Sequence, residues 1–153
     1  MRVEVLGPDD WARWRDLRLE ALQDTPIGFG ELHADAVRLT DEEWRTRWTR
    51  PGLRAIAYGE QGPLGMAGGF RDDEGRPILF GVYVRPAARG GGVLGALVDA
   101  VAAWAAPDPL VLDVHVDNHR ARKAYEKLGF TMTGATTPGG GIDGRDLQQM
   151  QRA

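Results

Sequence analysis

The chain has 153 residues, a length typical of one domain, and its 42% hydrophobic and 27% charged residues are usual for a globular protein. Its net charge of −3 argues against a nucleic-acid binder, because such domains normally carry a basic excess. The absence of cysteine excludes disulfides, thiolate nucleophiles and Cys-ligated metal centres. No signal-peptide pattern and no run of about 20 apolar residues occurs, so we expect a cytoplasmic protein without a membrane segment.

The first third of the chain predicts one short strand followed by two helices. The first five residues alternate apolar and charged side chains, which favours the strand. Apolar residues recur at helical spacing over Trp11–Ala21, which predicts the first helix. The sequence Thr40–Glu43 is a capping box, so a second helix begins there, carries Trp44 and Trp48 on one face, and ends at Pro51.

The rest of the chain predicts a sheet interrupted by two further helices. The predicted strands are Leu53–Tyr58, Leu64–Phe70, Ile78–Val84, Leu110–Val116, Phe130–Thr133 and Asp146–Met150, and the predicted helices are Val93–Ala105 and Asn118–Leu128. The strand Ile78–Val84 is almost wholly apolar, as in a central strand, and Gly81 within it indicates a bulge or a close backbone approach. We therefore expect a single mixed α/β domain over residues 1–153, with a strand–helix–strand crossover near its middle.

A glycine-rich segment, Arg89-Gly90-Gly91-Gly92-Val93-Leu94-Gly95, joins a buried strand to a helix. Glycines let the backbone turn tightly so that several N–H groups point into one concavity. The helix N-terminus adds unpaired N–H donors and a partial positive charge, and Arg89 adds a full one, so the segment predicts phosphate binding. The alternative is an ordinary strand-to-helix turn. The segment matches neither the P-loop nor the dinucleotide-binding pattern.

A second motif runs from Asn118 to Phe130. Asn118 is a preferred residue for a helix N-cap, and Tyr125 at helical spacing is compatible with simple core packing. A tyrosine hydroxyl, with a reference pKa of about 10, is also a suitable acid toward a departing thiolate. The residues alone leave both interpretations open.

Arg89-Gly-Gly-Gly-Val-Leu and Asn118-x-x-Ala121-x-x-x-Tyr125-x-x-x-Gly129-Phe130, in this order, resemble the motifs of the GCN5-related N-acetyltransferase (GNAT) superfamily. The strand end Val82–Pro86 and the segment Pro26–Gly30 resemble the same family. Leu94 departs from the pattern, because the family has Gly or Ala there, and its side chain could crowd a pyrophosphate. The resemblance implies a mostly antiparallel central sheet of six to seven strands, splayed in the middle and flanked by about four helices.

The resemblance further implies acetyl-CoA as co-substrate, with Tyr125 as general acid toward the sulfur. A backbone N–H of Val82 or Tyr83 would stabilise the carbonyl oxygen as it becomes negative. The strand Val82–Val84 would pair with the pantetheine arm, and Asn118 would hydrogen-bond the same region. The implied cofactor-binding residues are Val82, Tyr83, Val84, Arg89, Gly90, Gly91, Gly92, Val93, Leu94, Gly95, Asn118, Ala121, Lys123 and Tyr125.

Direct attack by an amine needs no protein nucleophile, but it needs a general base, because an aliphatic amine is mostly protonated near neutral pH. Glu31, Asp113 and His115 are the candidates. The alternation of Asp113, His115 and Asp117 is also compatible with a metal site. We expect no metal, since only one of the three is an imidazole and all belong to one short strand.

The acyl-acceptor site is expected to be formed by Thr25–Thr40 and Thr136–Arg145, two irregular segments expected to lie over the splay. We expect acetylation of the primary amine of a small molecule. Acetylation of a protein N-terminus or lysine, and a non-catalytic acyl-CoA-binding or structural domain, are the alternatives. The expected assembly is a monomer or homodimer, with no nucleic-acid or membrane partner.

Overall fold

The computed structural model describes residues 1–49 and 51–153, and within them seven strands form one mixed sheet flanked by five α-helices. The strands are β1 Arg2–Val5, β2 Gly52–Gly59, β3 Gly62–Arg71, β4 Pro77–Val84, β5 Leu110–His115, β6 Thr131–Thr137 and β7 Leu147–Arg152. The α-helices are α1 Trp11–Asp24, α2 His33–Ala36, α3 Asp41–Thr46, α4 Val93–Ala105 and α5 His119–Lys127. Short 3₁₀ turns precede α1 and α4 and follow α1 and α3.

The predicted capping box is confirmed at the start of α3. The Thr40 hydroxyl accepts a hydrogen bond from the Glu43 N–H at 3.1 Å, and the Glu43 carboxylate accepts one from the Thr40 N–H at 3.1 Å. The α-helix ends sooner than expected, because Trp48 lies on a 3₁₀ turn, Arg47–Thr49. The predicted end at Pro51 depends partly on Arg50, which lies outside the described residues. Helix α2 was not predicted; its single turn has no side-chain cap that would mark it in the sequence.

The strand order is β1-β2-β3-β4-β5-β7-β6, and every pair is antiparallel except β4 with β5. Those two parallel strands are in register at one position only, Ile78 with Val111, so they separate beyond it. This confirms the expected splay.

Gly81 explains the irregularity in β4. The β3–β4 register shifts opposite it, between Met66 and Gly68, which is a bulge. Its φ of +62° is in the left-handed region that favours glycine, and a Cβ there would lie 3.1 Å from the Trp14 ring. The bulge and the close approach predicted from the sequence are therefore both present.

Alternate residues of the central strands face two separate hydrophobic cores. Leu97 and Val101 of α4 and Tyr125 of α5 pack on one side, the α4–α5 face, and Trp14 of α1 and Trp44 of α3 pack on the other, the α1–α3 face. The gap between β4 and β5 therefore connects two differently built surfaces. Among residues 1–49 and 51–153, no helix has both the length and the hydropathy that crossing a bilayer requires.

Candidate active site

A cavity of about 670 Å³ opens where β4 and β5 separate. It is lined by β4, β5, the glycine-rich segment, α5 and the chain that follows α1, so the cavity reaches both faces of the sheet. The predicted site residues along it are Val82, Tyr83, Val84, Arg89, Gly90, Gly92, Val93, Leu94, Gly95, Asp113, His115, Asn118, Ala121, Lys123 and Tyr125. Gly91 and Glu31 are not part of its lining. The topology thus brings together two motifs that lie far apart in the chain.

The glycine-rich segment forms a concave donor surface at the start of α4. Gly90 and Gly92 have φ of +82° and +85°, and a Cβ on either would meet open space. The first α4 hydrogen bond runs from the Ala96 N–H to the Gly92 carbonyl at 3.1 Å. Within the described part of the chain, none of the N–H groups of residues 90–95 has an acceptor. These donors and the positive end of a 13-residue helix suit an anionic phosphate.

Leu94 stands at the position where the sequence departs from the family pattern. Its side chain is half-buried and packs against the core of the α4–α5 face, and it also contributes to the cavity lining. The packing holds the residue at the start of the helix, while its N–H is one of the free donors.

Arg89 is already engaged by the protein. Its Nη2 donates to the Asp24 carboxylate at 2.7 Å, and its Nε donates to the Val84 carbonyl at 3.1 Å. Hydrogen bonds from the Thr25 hydroxyl and from Arg89 lower the pKa of Asp24. A phosphate on the glycine-rich segment would therefore compete with Asp24 for this guanidinium.

Three further cations lie along the cavity rim on α5. Arg120, Lys123 and Lys127 line it, and none of them has an ion-pair partner within residues 1–49 and 51–153. Of these three, only Lys123 was predicted from the sequence. The spacing of 120, 123 and 127 on one helix face would have identified the other two once the helix was placed.

Tyr125 combines the structural and the functional interpretation. Its ring is buried, 9% exposed, and packs edge-on against Phe130 with centroids 5.6 Å apart. Burial raises the pKa of its hydroxyl, so the group stays protonated at neutral pH. In the described chain nothing hydrogen-bonds that hydroxyl, although it borders the cavity. It is an unused proton donor.

Asn118 is the N-cap of α5, as its sequence position predicts. Its Oδ1 accepts a hydrogen bond from the Ala121 N–H at 3.3 Å. Capping uses only the side-chain oxygen, so the amide NH₂ remains available on the cavity side, near Gly28.

The edge of β4 that faces the gap can be assigned residue by residue. The Arg85 N–H donates to the Leu64 carbonyl of β3 at 2.9 Å. Because successive residues of a strand direct their N–H groups to opposite edges, Tyr83 also faces β3, whereas Val82 and Val84 face the gap. The hydroxyl of Tyr83 donates to Glu20 at 2.9 Å. The two expected donors to a carbonyl oxygen therefore differ in direction, since the N–H of Tyr83 faces β3 and that of Val82, which follows the bulge at Gly81, faces the gap.

The three candidate bases have different surroundings. Asp113 borders the cavity, and partial desolvation raises the pKa of its carboxyl despite an opposing effect of Arg76. Glu31 accepts hydrogen bonds from Arg18 at 3.0 Å and from Arg47 at 2.8 and 2.9 Å. Burial raises the pKa of Glu31, but these two guanidinium groups outweigh that effect and lower it overall. Its paired oxygens and its position outside the cavity argue against a role as base.

His115 is fully enclosed, and both of its ring nitrogens have partners. Its Nδ1 accepts from the Asp117 N–H at 3.0 Å, so its Nε2 carries the hydrogen and donates to Asp143 at 2.8 Å. The ring therefore has no free lone pair that could accept a proton from an incoming amine. No residue of the segment Thr136–Arg145, expected beside the acceptor, is part of the described cavity lining, and the segment contacts the lining residue His115 through Asp143 and Gly141.

The structure groups a different set of possible metal ligands from the Asp113, His115 and Asp117 alternation seen in the sequence. Ligand atoms of His115, Asp117 and Asp143 lie within 4.8 Å of one another, and Asp113 is not among them. The pairing of Asp117 with Arg145 at 2.9 Å and of His115 with Asp143 accounts for these side chains without an ion. We assign no metal there.

Residues 11–130 match the model of the Acetyltransferase (GNAT) family. The chain therefore belongs to the GNAT family and is an N-acetyltransferase, an enzyme class that uses acetyl-CoA as co-substrate. The free N–H groups of the glycine-rich segment and the adjoining cavity fit such a co-substrate.

Solved structures share the fold. A ribosomal-protein-alanine N-acetyltransferase from Brucella melitensis is 22% identical with a TM-score of 0.74, and 99% of each chain is covered. A GNAT-family acetyltransferase from Streptococcus pneumoniae is 20% identical with a TM-score of 0.74, covering 99% of this chain and 98% of that one. A mutant of the spermidine N-acetyltransferase from Vibrio cholerae is 15% identical with a TM-score of 0.69, covering 99% of this chain and 94% of that one. No curated protein matches the sequence.

Proposed function

We propose that the protein transfers the acetyl group of acetyl-CoA to the primary amine of a small molecule, by direct attack while both are bound. The observation that carries the proposal is the unpartnered Tyr125 hydroxyl, which borders the same cavity as the free N–H groups of residues 90–95. The N–H groups would bind the pyrophosphate of the co-substrate, and the buried hydroxyl would supply the proton that the departing thiolate needs in thioester aminolysis.

The donor side consists of backbone groups and basic side chains. The N–H groups of residues 90–95 would hold the pyrophosphate, and Arg89 would assist after exchanging Asp24 for it. Lys123 and Asn118, both on the cavity lining, would hold further polar groups of the co-substrate. The gap-facing edge of β4, at Val82 and Val84, would pair with the pantetheine amides.

The chemistry follows from the positions of three groups. Acetyl-CoA supplies an activated acyl group on a thiolate leaving group. The Val82 N–H donates to the carbonyl oxygen as that oxygen becomes negative, and donors of this kind are worth about 2.7–4 kcal/mol. Tyr125 gives its proton to the departing sulfur and regains one from solvent, while Asp113 accepts the proton that the amine loses, directly or through water.

The acid and the base lie on opposite faces of the sheet. Leu112 and Val114 pack with Tyr125 in the α4–α5 core, so Asp113, between them in β5, is directed to the other face. An amine arriving from the α1–α3 face would meet the thioester across the β4–β5 gap. Gly28 and Phe29 border the cavity there, which favours a compact acceptor.

The test has two parts. Acetyl-CoA at about 100 times its dissociation constant should stabilise the protein by about 2.7 kcal/mol, a rise of several degrees in Tm. A panel of small amines and N-terminal peptides, assayed for CoA release, should then show turnover with the small amines. Absence of a thermal shift at millimolar acetyl-CoA contradicts donor binding, and turnover confined to peptides contradicts the acceptor class.

A further inference from the structure

The α1–α3 face carries three arginines beside the cavity, and we call Arg18, Arg47 and Arg54 the arginine cluster. A Cβ added to Gly81 would lie 3.7 Å from Arg18 Nη1, and the Arg18 guanidinium lies 4.8 Å from the centre of the Phe29 ring. Gly81 and Phe29 both border the cavity. Arg18 therefore adjoins the side from which the proposed acceptor would enter. Arg47 is linked to it through Glu31, and Arg54 contacts the lining residue Phe80, although none of the three arginines is itself part of the lining.

The cluster has more positive than negative charge. Glu31 is the one carboxylate that pairs with it among the described residues, and it serves both Arg18 and Arg47. Arg54 has no carboxylate partner there; its Nη2 donates to the Arg47 carbonyl at 2.9 Å, and its Nε is buried without an acceptor. The three guanidinium groups therefore have a single carboxylate among them, and the Nε–H of Arg54 has no acceptor.

Aromatic rings partly shield Arg54 from water. Its guanidinium lies 4.2 Å from the Trp48 ring centre, 5.5 Å from that of Trp14 and 5.7 Å from that of Phe80. Burial and the charges of Arg47 and Arg18 lower the pKa of Arg54 to about 10. A desolvated cation without a counter-charge is costly, and a planar guanidinium binds a carboxylate particularly well.

We infer that the acyl acceptor is a small amine that also carries a carboxylate, and that the arginine cluster binds this carboxylate while the amine meets the thioester at the gap. This inference rests on the proposed function. A polycationic acceptor would be repelled by the same cluster. Gly81, which adjoins Arg18, is one residue, or about 3.3 Å of strand, from Val82, the proposed donor to the thioester carbonyl. The carboxylate and the amine of the acceptor must therefore be only a few bonds apart. Free amino acids have this chemistry.

The first experiment compares matched acceptors with the wild-type enzyme. Each amino acid is assayed for CoA release beside its carboxamide and beside the amine that lacks the carboxylate. Hydrogen bonds to a charged group are worth about 1.5–3 kcal/mol, so kcat/KM should be at least about tenfold higher for the acid. If the three forms react equally, or if the neutral amine is preferred, the inference is wrong while the proposed function stands. If no amine reacts, both fail.

The second experiment assigns the preference to the cluster. Arg54→Met keeps apolar contact with the rings and removes the charge, so it should raise KM for the acid at least about tenfold. KM for acetyl-CoA and kcat/KM for the carboxamide should stay near wild type. Arg47→Met tests the same point at an arginine whose side chain is 37% exposed. Arg45→Met, which removes an arginine stacked on Trp11 outside the cluster, is the control. An unchanged acid preference in both cluster variants overturns the assignment.

Discussion

The two faces of the sheet contribute to the same cavity in different ways. On the α4–α5 face the functional groups are backbone N–H donors of residues 90–95, a helix N-terminus and one tyrosine hydroxyl. On the α1–α3 face they are side chains, namely the arginine cluster and its partner Glu31, which lie next to the cavity lining and are not part of it, and the surrounding aromatic rings. A co-substrate with a constant chemical structure can be held by backbone geometry. Selectivity among acceptors requires side chains that differ from one protein to another.

This difference also separates the expected effects of mutation. Changes on the α4–α5 face should alter donor affinity or the chemical step for every acceptor. Changes in the arginine cluster should alter the choice of acceptor and leave the donor unaffected. Variants of Tyr125, Gly92 and the Arg89 partner Asp24 test the first expectation, and Arg54→Met and Arg47→Met test the second. Asp113→Asn tests whether the chemical step also depends on the opposite face.

The largest effect is expected for Tyr125→Phe. The ring and its packing against Phe130 are retained, and only the proton donor is lost. Turnover should fall by about 10²–10⁴, with acetyl-CoA affinity nearly unchanged, because the lost interaction forms mainly in the transition state. The measurements are kcat and the acetyl-CoA Kd. Tyr58→Phe, which removes a hydroxyl that accepts from Arg13 away from the cavity, is the control. Near-wild-type turnover would remove Tyr125 as the acid.

Asp113→Asn should reduce turnover near neutral pH by about 10², which is within the usual contribution of a general base. A base acts when deprotonated, so wild-type kcat/KM should fall as the pH drops through the pKa of Asp113. Because desolvation raises that pKa, the fall should occur above the usual aspartate value of about 3.9. The pH profile of the variant should lack this step and keep only the one due to the amine. An identical profile in both proteins would contradict the role.

Gly92→Val should weaken acetyl-CoA binding by at least about tenfold. A side chain at φ +85° costs about 1–2 kcal/mol, and relief of that strain would turn N–H donors away from the phosphate. Isothermal titration measures the effect. Gly75→Val imposes a similar strain at φ +82° in a turn remote from the cavity, so it should lower Tm without changing the acetyl-CoA Kd. Equal Kd values for both variants would place the pyrophosphate elsewhere.

The smallest effect is expected for Asp24→Asn. Removing the carboxylate frees Arg89 for the phosphate, and a partly exposed ion pair is worth about 0.2–1 kcal/mol, so acetyl-CoA should bind up to about fivefold more tightly. Asp99→Asn breaks a pair with Arg152, neither of which lines the cavity, and should leave the Kd unchanged. If Asp24→Asn binds acetyl-CoA more weakly, Asp24 positions Arg89 for binding and does not compete for it.

Local patterns predicted most of the elements. The capping box at Thr40–Glu43 depends on residues three apart in the chain, so it was recognisable without tertiary information. The bulge and the close approach at Gly81 were predicted correctly, although only the structure shows that Trp14 is the group that approaches it. Helix α2 was missed because it is one turn long and has no side-chain cap, and the switch to 3₁₀ geometry at Trp48 has no counterpart in the spacing of the tryptophans.

Among the candidate bases, local information was insufficient. Glu31, His115 and Asp113 are all candidates in the sequence, because each has a suitable functional group. Their availability depends on partners that are remote in the chain: Arg47 for Glu31 and Asp143 for His115. The sequence could not show that two of the three were already occupied.

The sequence by itself determined the strand and helix periods, the glycine-rich segment before α4 and the Asn118–Tyr125 spacing on α5, all of which depend on neighbouring residues. Only the tertiary structure decided which groups share the cavity and which charges remain uncompensated. Arg18, Arg47 and Arg54 come from α1, the turn after α3, and β2, and no local pattern links them. Their common site arises because two layers of helices pack on a sheet whose parallel strands separate after a single registered pair.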